Sequence, residues 1–342
     1  MNLNMEFVLE TLKDLMSIDS PSGYTSAVME LVEKIADDLG YGFEMTHKGN
    51  GIITLPGLDP EYVVGFCAHV DTLGLMVRSI TDQGSLRFTK IGGPVLATYD
   101  SELVRVHTRD GRVYDGTVYC TKPAKHVFKE SEDKRSEENL EVRLDEDVSS
   151  KQDVLDLGIQ VGDYICLDPK LVITPSGFIK SRFLDDKLSV AILLGVLEYF
   201  STNRLIPSHT VKILISTYEE VGHGMGWIPA DIQELIAVDM GCIGDDLTCT
   251  EKMVSICAKD SSGPYDYDIT SRLAELAKEN NLNYCIDIYP YYSSDVSAAL
   301  RGGQDIQGGL LGPGVFASHA YERSSIEAVE NTMKLLIAYI QD

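Results

Sequence analysis

The spacing of hydrophobic positions predicts helices and then strands at the N-terminal end of the chain. Apolar residues recur at helical intervals over residues 7–16 and again over residues 28–39, with a Ser-Pro-Ser-Gly turn at 20–23 between them. β-like runs follow, and the run at residues 62–68 leads directly into His69. The first 70 residues are therefore predicted to form two helices followed by two strands.

Between residues 75 and 173 the pattern changes to short β-branched runs separated by turns that contain glycine. The strands predicted here are 75–80, 86–89, 103–107, 113–118 and 164–167, with one short helix near 151–157. Many short strands with so little helix between them are typical of a small β-barrel or sandwich, and not of βαβ units.

After residue 183 helical and strand patterns alternate again, which is typical of an α/β sheet. The predicted elements are a helix at 188–200, strands at 210–217, 237–240 and 253–258, a helix at 265–280, a strand at 284–288 and a terminal helix at 324–340. We therefore predict an α/β domain made of residues 1–74 and 175–342, whose two halves share one sheet. An inserted β-barrel domain at 75–174 would interrupt it.

Composition narrows the range of partners. The 342 residues include 53 acidic and 29 basic ones, a net charge of −24, and no basic stripe offsets it, so nucleic acid and anionic membranes are poor partners. No apolar run approaches the roughly 20 residues that a membrane helix needs. The first 17 residues lack the pattern of a secretory signal. Seven cysteines without Cys-x-x-Cys spacing are typical of a reducing compartment, so we expect a cytoplasmic protein.

Five side chains that commonly bind metal ions lie next to predicted strands and helices. In chain order they are His69, Asp185, Glu220, Asp239 and His319. Two imidazoles and three carboxylates suit a pair of borderline divalent cations that share one carboxylate. Because sites in open α/β sheets form where strands end, we expect these side chains to converge there.

The triplet His69-Val70-Asp71 closes a strand-like run. Two residues apart on an extended chain, Asp71 and His69 point to the same side, so the carboxylate could orient the imidazole through a hydrogen bond. Taken alone, such a triplet fits a partly buried histidine that binds no metal better than it fits a ligand.

Two adjacent acids, Asp185 and Asp186, precede the helix predicted at 188–200. One of them could simply cap the helix. The second acid, together with the neighbouring Arg182 and Lys187, favours a carboxylate that bridges two cations while its neighbour orients it.

Glu219 and Glu220 follow a predicted strand. Consecutive strand residues face opposite ways, so both can serve one site only where the strand breaks, and Gly222 and Gly224 supply that break. Glu220 would then bind a metal ion, while Glu219 would accept a proton from the attacking water. The alternative is a pair of exposed glutamates in a loop.

The last two candidates complete a hydrolytic site. Asp239 ends a strand that is apolar throughout, where an unpaired carboxylate would be costly, and His319 supplies the second imidazole from a loop. Two metal ions would acidify a water between them, and Glu219 would pass its proton to the leaving amine. This pattern predicts amide hydrolysis, and no serine elbow, Walker loop or dinucleotide-binding glycine turn competes with it.

Together these motifs resemble the M42 family of metallo-aminopeptidases, which includes glutamyl and deblocking aminopeptidases and the tetrahedral TET peptidases. The resemblance covers nearly the whole chain, including a late turn at residues 155–163. It implies a mixed-sheet α/β/α co-catalytic metallopeptidase domain with a small PDZ-like β-barrel insert. The roles it implies are one metal ion on His69 and Asp239, the other on Glu220 and His319, Asp185 as the bridge, Glu219 as the base and Asp71 as the residue that orients His69.

The resemblance also implies cofactors and partners: two divalent ions per subunit (zinc or cobalt, with manganese as an alternative), short peptides as substrates, and a homo-oligomer between a dimer and a dodecamer. The chain departs from the family pattern at Thr72-Leu73-Gly74, where Glu-Ile-Gly is usual, and at His223, where Arg is common. The approach to His319 also differs from the usual Arg-Tyr-x-His-Ser. No ligand is lost, and His223 and Asp295 are candidates for supporting the site.

Two other functions stay open on the sequence alone. A dinuclear deacylase or a carboxypeptidase-like amidohydrolase of a related co-catalytic family would use the same ligands. An oligomeric binding protein with a degenerate site would need none of them, and the complete ligand set together with Glu219 disfavours it. The preferred N-terminal residue depends on pocket walls that the sequence does not place.

Overall fold

In a computed structural model, which describes residues 1–130 and 133–342, the chain forms two compact units, Met1–Asp71 with Lys170–Asp342 and Thr72–Pro169. The helices are α1 (Met5–Met16), α2 (Ser26–Asp38), α3 (Lys151–Asp156), α4 (Leu184–Asn203), α5 (Tyr267–Glu279), α6 (Asp295–Arg301) and α7 (Ile326–Gln341). The strands are β1 (Phe43–Met45), β2 (Gly51–Leu55), β3 (Asp59–His69), β4 (Gly74–Ile80), β5 (Leu86–Ile91), β6 (Leu103–His107), β7 (Val113–Cys120), β8 (Leu140–Leu144), β9 (Tyr164–Leu167), β10 (Val172–Ile173), β11 (Phe178–Ser181), β12 (His209–Ser216), β13 (Glu234–Val238), β14 (Gly241–Cys242), β15 (Val254–Asp260), β16 (Gly263–Pro264), β17 (Tyr284–Ile288), β18 (Gln307–Val315) and β19 (Glu322–Ser325).

The first unit is built on a ten-stranded mixed sheet in which strands from both ends of the chain alternate. Its main order is β1-β2-β12-β3-β13-β18-β15-β16, with β14 beside β18 and β17 beside β15. Strand β3 runs parallel to both β12 and β13, and β13 runs parallel to β18. The prediction that the two halves of the chain share one sheet is confirmed. The parallel strands also end at the same edge of the sheet.

Helix α4 occupies the core of this unit. It packs against α1, α7 and β3, and its residues 188–197 are buried on every side, as expected for a helix that is apolar all round. The helix begins four residues earlier than predicted, but Asp185 and Asp186 have non-helical backbone angles and are joined by a cis peptide bond. Both acids therefore belong to a kink at the start of the helix.

The sequence pattern does not predict β18, although this strand lies between β13 and β15. Its sequence, QGGLLGPGV, is rich in residue types that are rare in strands. Gly312 shows why: a Cβ atom there would lie 1.5 Å from the carbonyl oxygen of Asp239. Close approach to a neighbouring chain segment, and not strand propensity, selects glycine in β18.

The second unit is a closed barrel with the strand order β4-β5-β8-β7-β6-β9. Strand β8 is a further element that the sequence pattern does not predict, and α3 lies where the short helix is expected. The predicted α/β class and the small β-barrel are both confirmed. Within the described part of the chain, every helix is too short or too polar to cross a bilayer.

Candidate metal and catalytic centre

The predicted ligands lie at the edge where the parallel strands of the large sheet end. His69 is the last residue of β3 and pairs with Ser216, the last residue of β12, while Asp239 follows β13 directly. The exposed fractions of His69, Asp239 and Asp185 are 1%, 3% and 5%. Three predicted ligands are thus buried at the edge that the strand pattern indicates.

Asp185 lies between the two predicted imidazole ligands. One of its carboxylate oxygens is 3.2 Å from Nε2 of His69, and the other is 3.5 Å from Nε2 of His319. An oxygen of Glu220 lies 3.6 Å from the same His319 nitrogen. Ligand atoms of His69, Asp185 and Glu220 all lie within 4.8 Å of one another, a spacing that suits a bound cation.

A second group of ligand atoms overlaps with the first at His69. His69, Asp186 and Asp239 also offer atoms within 4.8 Å of one another. One oxygen of the fully buried Asp186 accepts a hydrogen bond from the backbone N–H of His69 at 3.2 Å. The structure therefore brings two overlapping groups of possible ligand atoms into one small region.

The two predicted glutamates face different parts of this region. Strand β12 ends before them, a short 3-10 turn at Glu219–Val221 carries them, and Gly222 follows with a left-handed φ of 84°. Oε2 of Glu219 lies 3.7 Å from Nε2 of His69, whereas Glu220 is directed at His319. The break in the strand thus lets adjacent residues serve one site.

Asp71 makes different contacts from those predicted. Nδ1 of His69 lies 2.9 Å from the backbone carbonyl oxygen of Asp71 and 3.6 Å from its carboxylate. The carboxylate instead accepts hydrogen bonds from the backbone N–H groups of Glu219 at 3.1 Å and Glu220 at 3.3 Å, and from the Ser22 hydroxyl. A proton donated by Nδ1 to the carbonyl leaves Nε2 of His69 available to a metal ion. The side chain of Asp71 positions the two glutamates.

Glu322 fixes two predicted ligands, and the sequence pattern gives it no role. Its carboxylate accepts hydrogen bonds from the backbone N–H groups of His319 at 3.0 Å and Asp185 at 3.1 Å, and the residue is 2% exposed. The backbone of His319 is left-handed, with a φ of 63°, which is costly for a residue other than glycine. The signal in the sequence is an acid three residues after a histidine.

Buried charges crowd the site. Burial raises the pKa values of Asp186, Glu219 and Glu220 well above their usual range. Burial also raises the pKa of Asp239 to about 7. In each case burial is the largest cause, and neighbouring carboxylates add to the rise. Burial lowers the pKa of His69, but the surrounding carboxylates outweigh it and raise that pKa well above its usual value. Among the described residues, one buried oxygen each of Glu220 and Asp186 has no hydrogen-bond partner. Cations would satisfy these oxygens and relieve the crowding, so the donor set fits metal ions.

Asn50, in the turn between β1 and β2, holds both ends of the loop that carries Glu219 and Glu220. Its side-chain oxygen accepts hydrogen bonds from the backbone N–H and the hydroxyl of Thr217, at 3.2 and 2.9 Å. Its amide group donates to the carbonyl of Gly224 at 2.9 Å. The residue is 3% exposed, so water cannot easily replace these bonds.

Asn50→Ala is expected to lower the free energy of unfolding by about 1–3 kcal/mol, because the buried N–H of Thr217 loses its acceptor. We also expect kcat to fall, since the loop would no longer be fixed. Denaturant unfolding and peptide-cleavage kinetics measure the two effects. His47→Ala, at an exposed position in the same turn, should change neither. Wild-type kinetics in Asn50→Ala would show that the loop keeps its shape unaided.

The two supporting candidates lie at the other end of this loop. Asp295 is 3% exposed and accepts a hydrogen bond from the backbone N–H of Met225 at 2.8 Å. A Cβ atom at Gly224 would lie 2.2 Å from an Asp295 oxygen, so this close approach requires glycine. His223 is exposed and stacks on the ring of Tyr218 at 5.0 Å. Asp295 thus contacts the end of the loop directly, whereas His223 lies on its outer surface.

This chain is similar in sequence and in fold to known proteins. Residues 49–335 match the M42 glutamyl aminopeptidase family. The chain is 44% identical over 335 residues to "Putative aminopeptidase YhfE" of Bacillus subtilis (strain 168), with 97% of each chain covered. Among solved structures, a TET aminopeptidase from a marine sediment archaeon (Thaumarchaeota) superposes with a TM-score of 0.89 at 18% identity, covering 99% of this chain and 97% of that one. The Pyrococcus horikoshii TET1 peptidase superposes with a TM-score of 0.86 at 24% identity, covering 98% and 99%.

The family match covers more than half of the chain, and the relative from Bacillus subtilis aligns over nearly all of it. The candidate residues His69, Glu219 and His319 all fall within the matched range. This chain belongs to the M42 family of glutamyl aminopeptidases and is a peptidase.

Proposed function

We propose that this peptidase is a dinuclear metal-dependent aminopeptidase that removes N-terminal residues from short peptides. The observation that carries the proposal is the convergence of two imidazoles and three carboxylates, all predicted from separate motifs, beside Glu219. A glutamate that is close to the ligand atoms but not needed as a ligand is what hydrolysis requires as a base.

The assignment of ligands to the two ions is the one that the resemblance to the M42 family implies. His69 and Asp239 would hold one ion, Glu220 and His319 the other, and Asp185 would bridge them. The two oxygens of Asp185 face different imidazoles, which supports its bridging role. Mixed nitrogen and oxygen donors suit zinc, cobalt or manganese.

The residues of the chain then have distinct tasks. When bound, a pair of divalent ions acidifies water and polarises a peptide carbonyl. Glu219 takes the proton from the water and delivers it to the leaving amine. Asp71 keeps Glu219 and Glu220 in place through their backbone N–H groups, and Glu322 does the same for His319 and Asp185.

The protein supplied with zinc, cobalt or manganese is expected to release the N-terminal residue of short peptides with free amino groups. A chelator should abolish this release and added metal should restore it, because the chemistry depends on the ions. Mass spectrometry of the products measures the cleavage site. Removal of only the acyl group from N-acetylated peptides would indicate a deacylase, and release of C-terminal residues a carboxypeptidase-like enzyme.

We further propose that the inserted domain, predicted at residues 75–174, joins copies of the chain into a homo-oligomer between a dimer and a dodecamer. The Pyrococcus horikoshii TET1 peptidase assembles into a tetrahedron or an octahedral shell, which supports this proposal.

The seven cysteines are free thiols, which supports a reducing, cytoplasmic location.

A further inference from the structure

Lys48, in the turn between β1 and β2, reaches across to the loop that carries Glu219 and Glu220. Its ammonium group donates hydrogen bonds to the backbone carbonyl oxygens of His223 and, at 3.1 Å, of Gly224. Both carbonyls belong to the second half of the loop, after the short 3-10 turn. Lys48 therefore ties the second half of the loop to a separate part of the chain.

The ammonium group also lies over the ring of Tyr218, with 5.6 Å between Nζ and the ring centroid. A cation in this position is attracted by the face of an aromatic ring. The imidazole of His223 stacks on the same ring at 5.0 Å, and the N–H of His223 donates to the carbonyl of Tyr218 at 3.2 Å. Lys48 thus acts on both ends of the segment 218–224, in which Glu219 directly follows Tyr218.

The turn that carries Lys48 is held by its own hydrogen bonds. The N–H of Thr46 donates to the carbonyl of Asn50 at 2.9 Å, and the N–H of Asn50 donates to the hydroxyl of Thr46 at 3.0 Å. Gly49 donates its N–H to the carbonyl of Thr46 at 2.9 Å and has a left-handed φ of 96°, which glycine adopts at little cost. The backbone of Lys48 is therefore fixed, so its side chain can hold the loop in place.

The segment that Lys48 holds lies between two other anchors. Asp71 accepts hydrogen bonds from N–H groups near its start, and Asp295 accepts one from the N–H that follows its end, whereas residues 221–223 are exposed. Burial lowers the pKa of Lys48, and the negative charges of Asp295 and Asp71 oppose that fall. The two carboxylates that hold the loop thus also stabilise the positive charge of Lys48.

We propose that Lys48 is a positioning residue for Glu219: its ammonium group fixes the second half of the loop and thereby the direction of the Glu219 carboxylate. The inference rests on the proposed function, because it concerns the base of the same site. A general base works only within hydrogen-bond reach of the proton it accepts, and a misplacement of about 1 Å can lower a rate about 10²-fold. A bound ion would restrain the carboxylate of Glu220, but Glu219 has no such restraint. Lys48 itself moves no proton.

Lys48→Met removes the ammonium group and keeps a long unbranched side chain. We expect kcat to fall by about 10–100-fold, with KM little changed and both metal ions still bound, because the base loses its position while the ligands keep theirs. Hydrogen–deuterium exchange of the backbone amides in residues 218–224 should become faster, since this segment loses an anchor. Peptide-cleavage kinetics, metal analysis and mass spectrometry of the exchanged protein measure the three effects.

Lys212→Met is the matched control. Lys212 lies in β12, the strand that leads into the same loop, and its ammonium group donates to both carboxylate oxygens of Asp231, at 2.7 and 2.6 Å. This variant also loses one paired ammonium group. It should keep its kcat and the exchange rate of residues 218–224, because its partner lies outside that segment.

Chemical rescue separates the ammonium group from the rest of the side chain. Lys48→Ala should be as slow as Lys48→Met, and propylammonium ions should restore part of its kcat. Lys48 lines an open groove of about 530 Å³ together with Met45 and Trp227, and the ions can enter there. Tetramethylammonium carries the same charge but no N–H group, so it should restore none. Wild-type rates at the same amine concentrations correct for inhibition.

Several results would decide against the role of Lys48. Wild-type kcat in Lys48→Met would overturn it, and so would an equal loss of kcat in Lys212→Met. Loss of metal ions from Lys48→Met would overturn it as well, because the residue would then support the ligands. Equal recovery of Lys48→Ala with both amines, or recovery with neither, would overturn the role of its hydrogen bonds. A wild-type protein that cleaves no peptide would overturn the proposed function, and this inference with it.

Discussion

Glu219→Gln is expected to lower kcat by about 10³-fold while the metal ions stay bound. Glutamine has nearly the same shape but no basic oxygen, and a positioned general base contributes about 10²–10⁴-fold. The backbone N–H of Glu219 donates to Asp71 in either case, so the loop should keep its geometry. Steady-state peptide cleavage and metal analysis of the purified variant measure both parts of this expectation.

Two further glutamate variants separate the base from its surroundings. Glu220→Gln alters a proposed ligand and should weaken metal binding as well as catalysis. Glu234→Gln lies at the other end of the parallel strands, where Glu234 accepts hydrogen bonds from the hydroxyls of Tyr62 and Tyr339. That variant should keep its kcat. Near-native turnover of Glu219→Gln would remove Glu219 from the role of base.

Strands were predictable where burial alone determines their residues. β3 and β13 are parallel strands covered on both faces, so their sequences contain continuous apolar runs. The run predicted at 62–68 lies within β3, whereas β13 begins three residues before the strand predicted at 237–240 and ends two residues before that strand does. In β18 the close packing of neighbouring chain segments determines which residues occur. Gly312 is required because the carbonyl of Asp239 lies against it, 73 positions away along the sequence, and no local periodicity records such an approach.

The same distinction applies to the site. The predicted ligands each adjoin a strand, a helix or a sharp turn, where an acid or a histidine stands out from its neighbours. Asn50 and Glu322 act through partners that are 174 and 137 positions away, and an asparagine in a turn or an acid at the start of a strand is common without any such contact. The role of Asp71 was only partly predictable. Its spacing places it near His69, but the imidazole lies closer to the backbone carbonyl of Asp71 than to its carboxylate.

Asp185→Ala is expected to abolish tight metal binding and with it peptide cleavage. Asp185 is the residue whose two oxygens face both His69 and His319, so its loss would remove a ligand from each ion at once. Even the loss of an outer hydrogen bond to a ligand costs about 10–100-fold in metal affinity, and a shared ligand should cost more. Metal titration of the apo-protein measures the affinity, and peptide release measures the activity.

Asp287→Ala provides the contrast that isolates this role. Asp287 is also buried, and its carboxylate accepts hydrogen bonds from the backbone N–H groups of Thr248 at 2.9 Å and Cys249 at 3.0 Å. Its loss should lower the melting temperature while both ions remain bound. Because each variant removes one buried carboxylate, a difference in metal content between them reports ligation and not general damage to the fold. Two tightly bound ions in Asp185→Ala would show that another carboxylate, such as Asp186, bridges them.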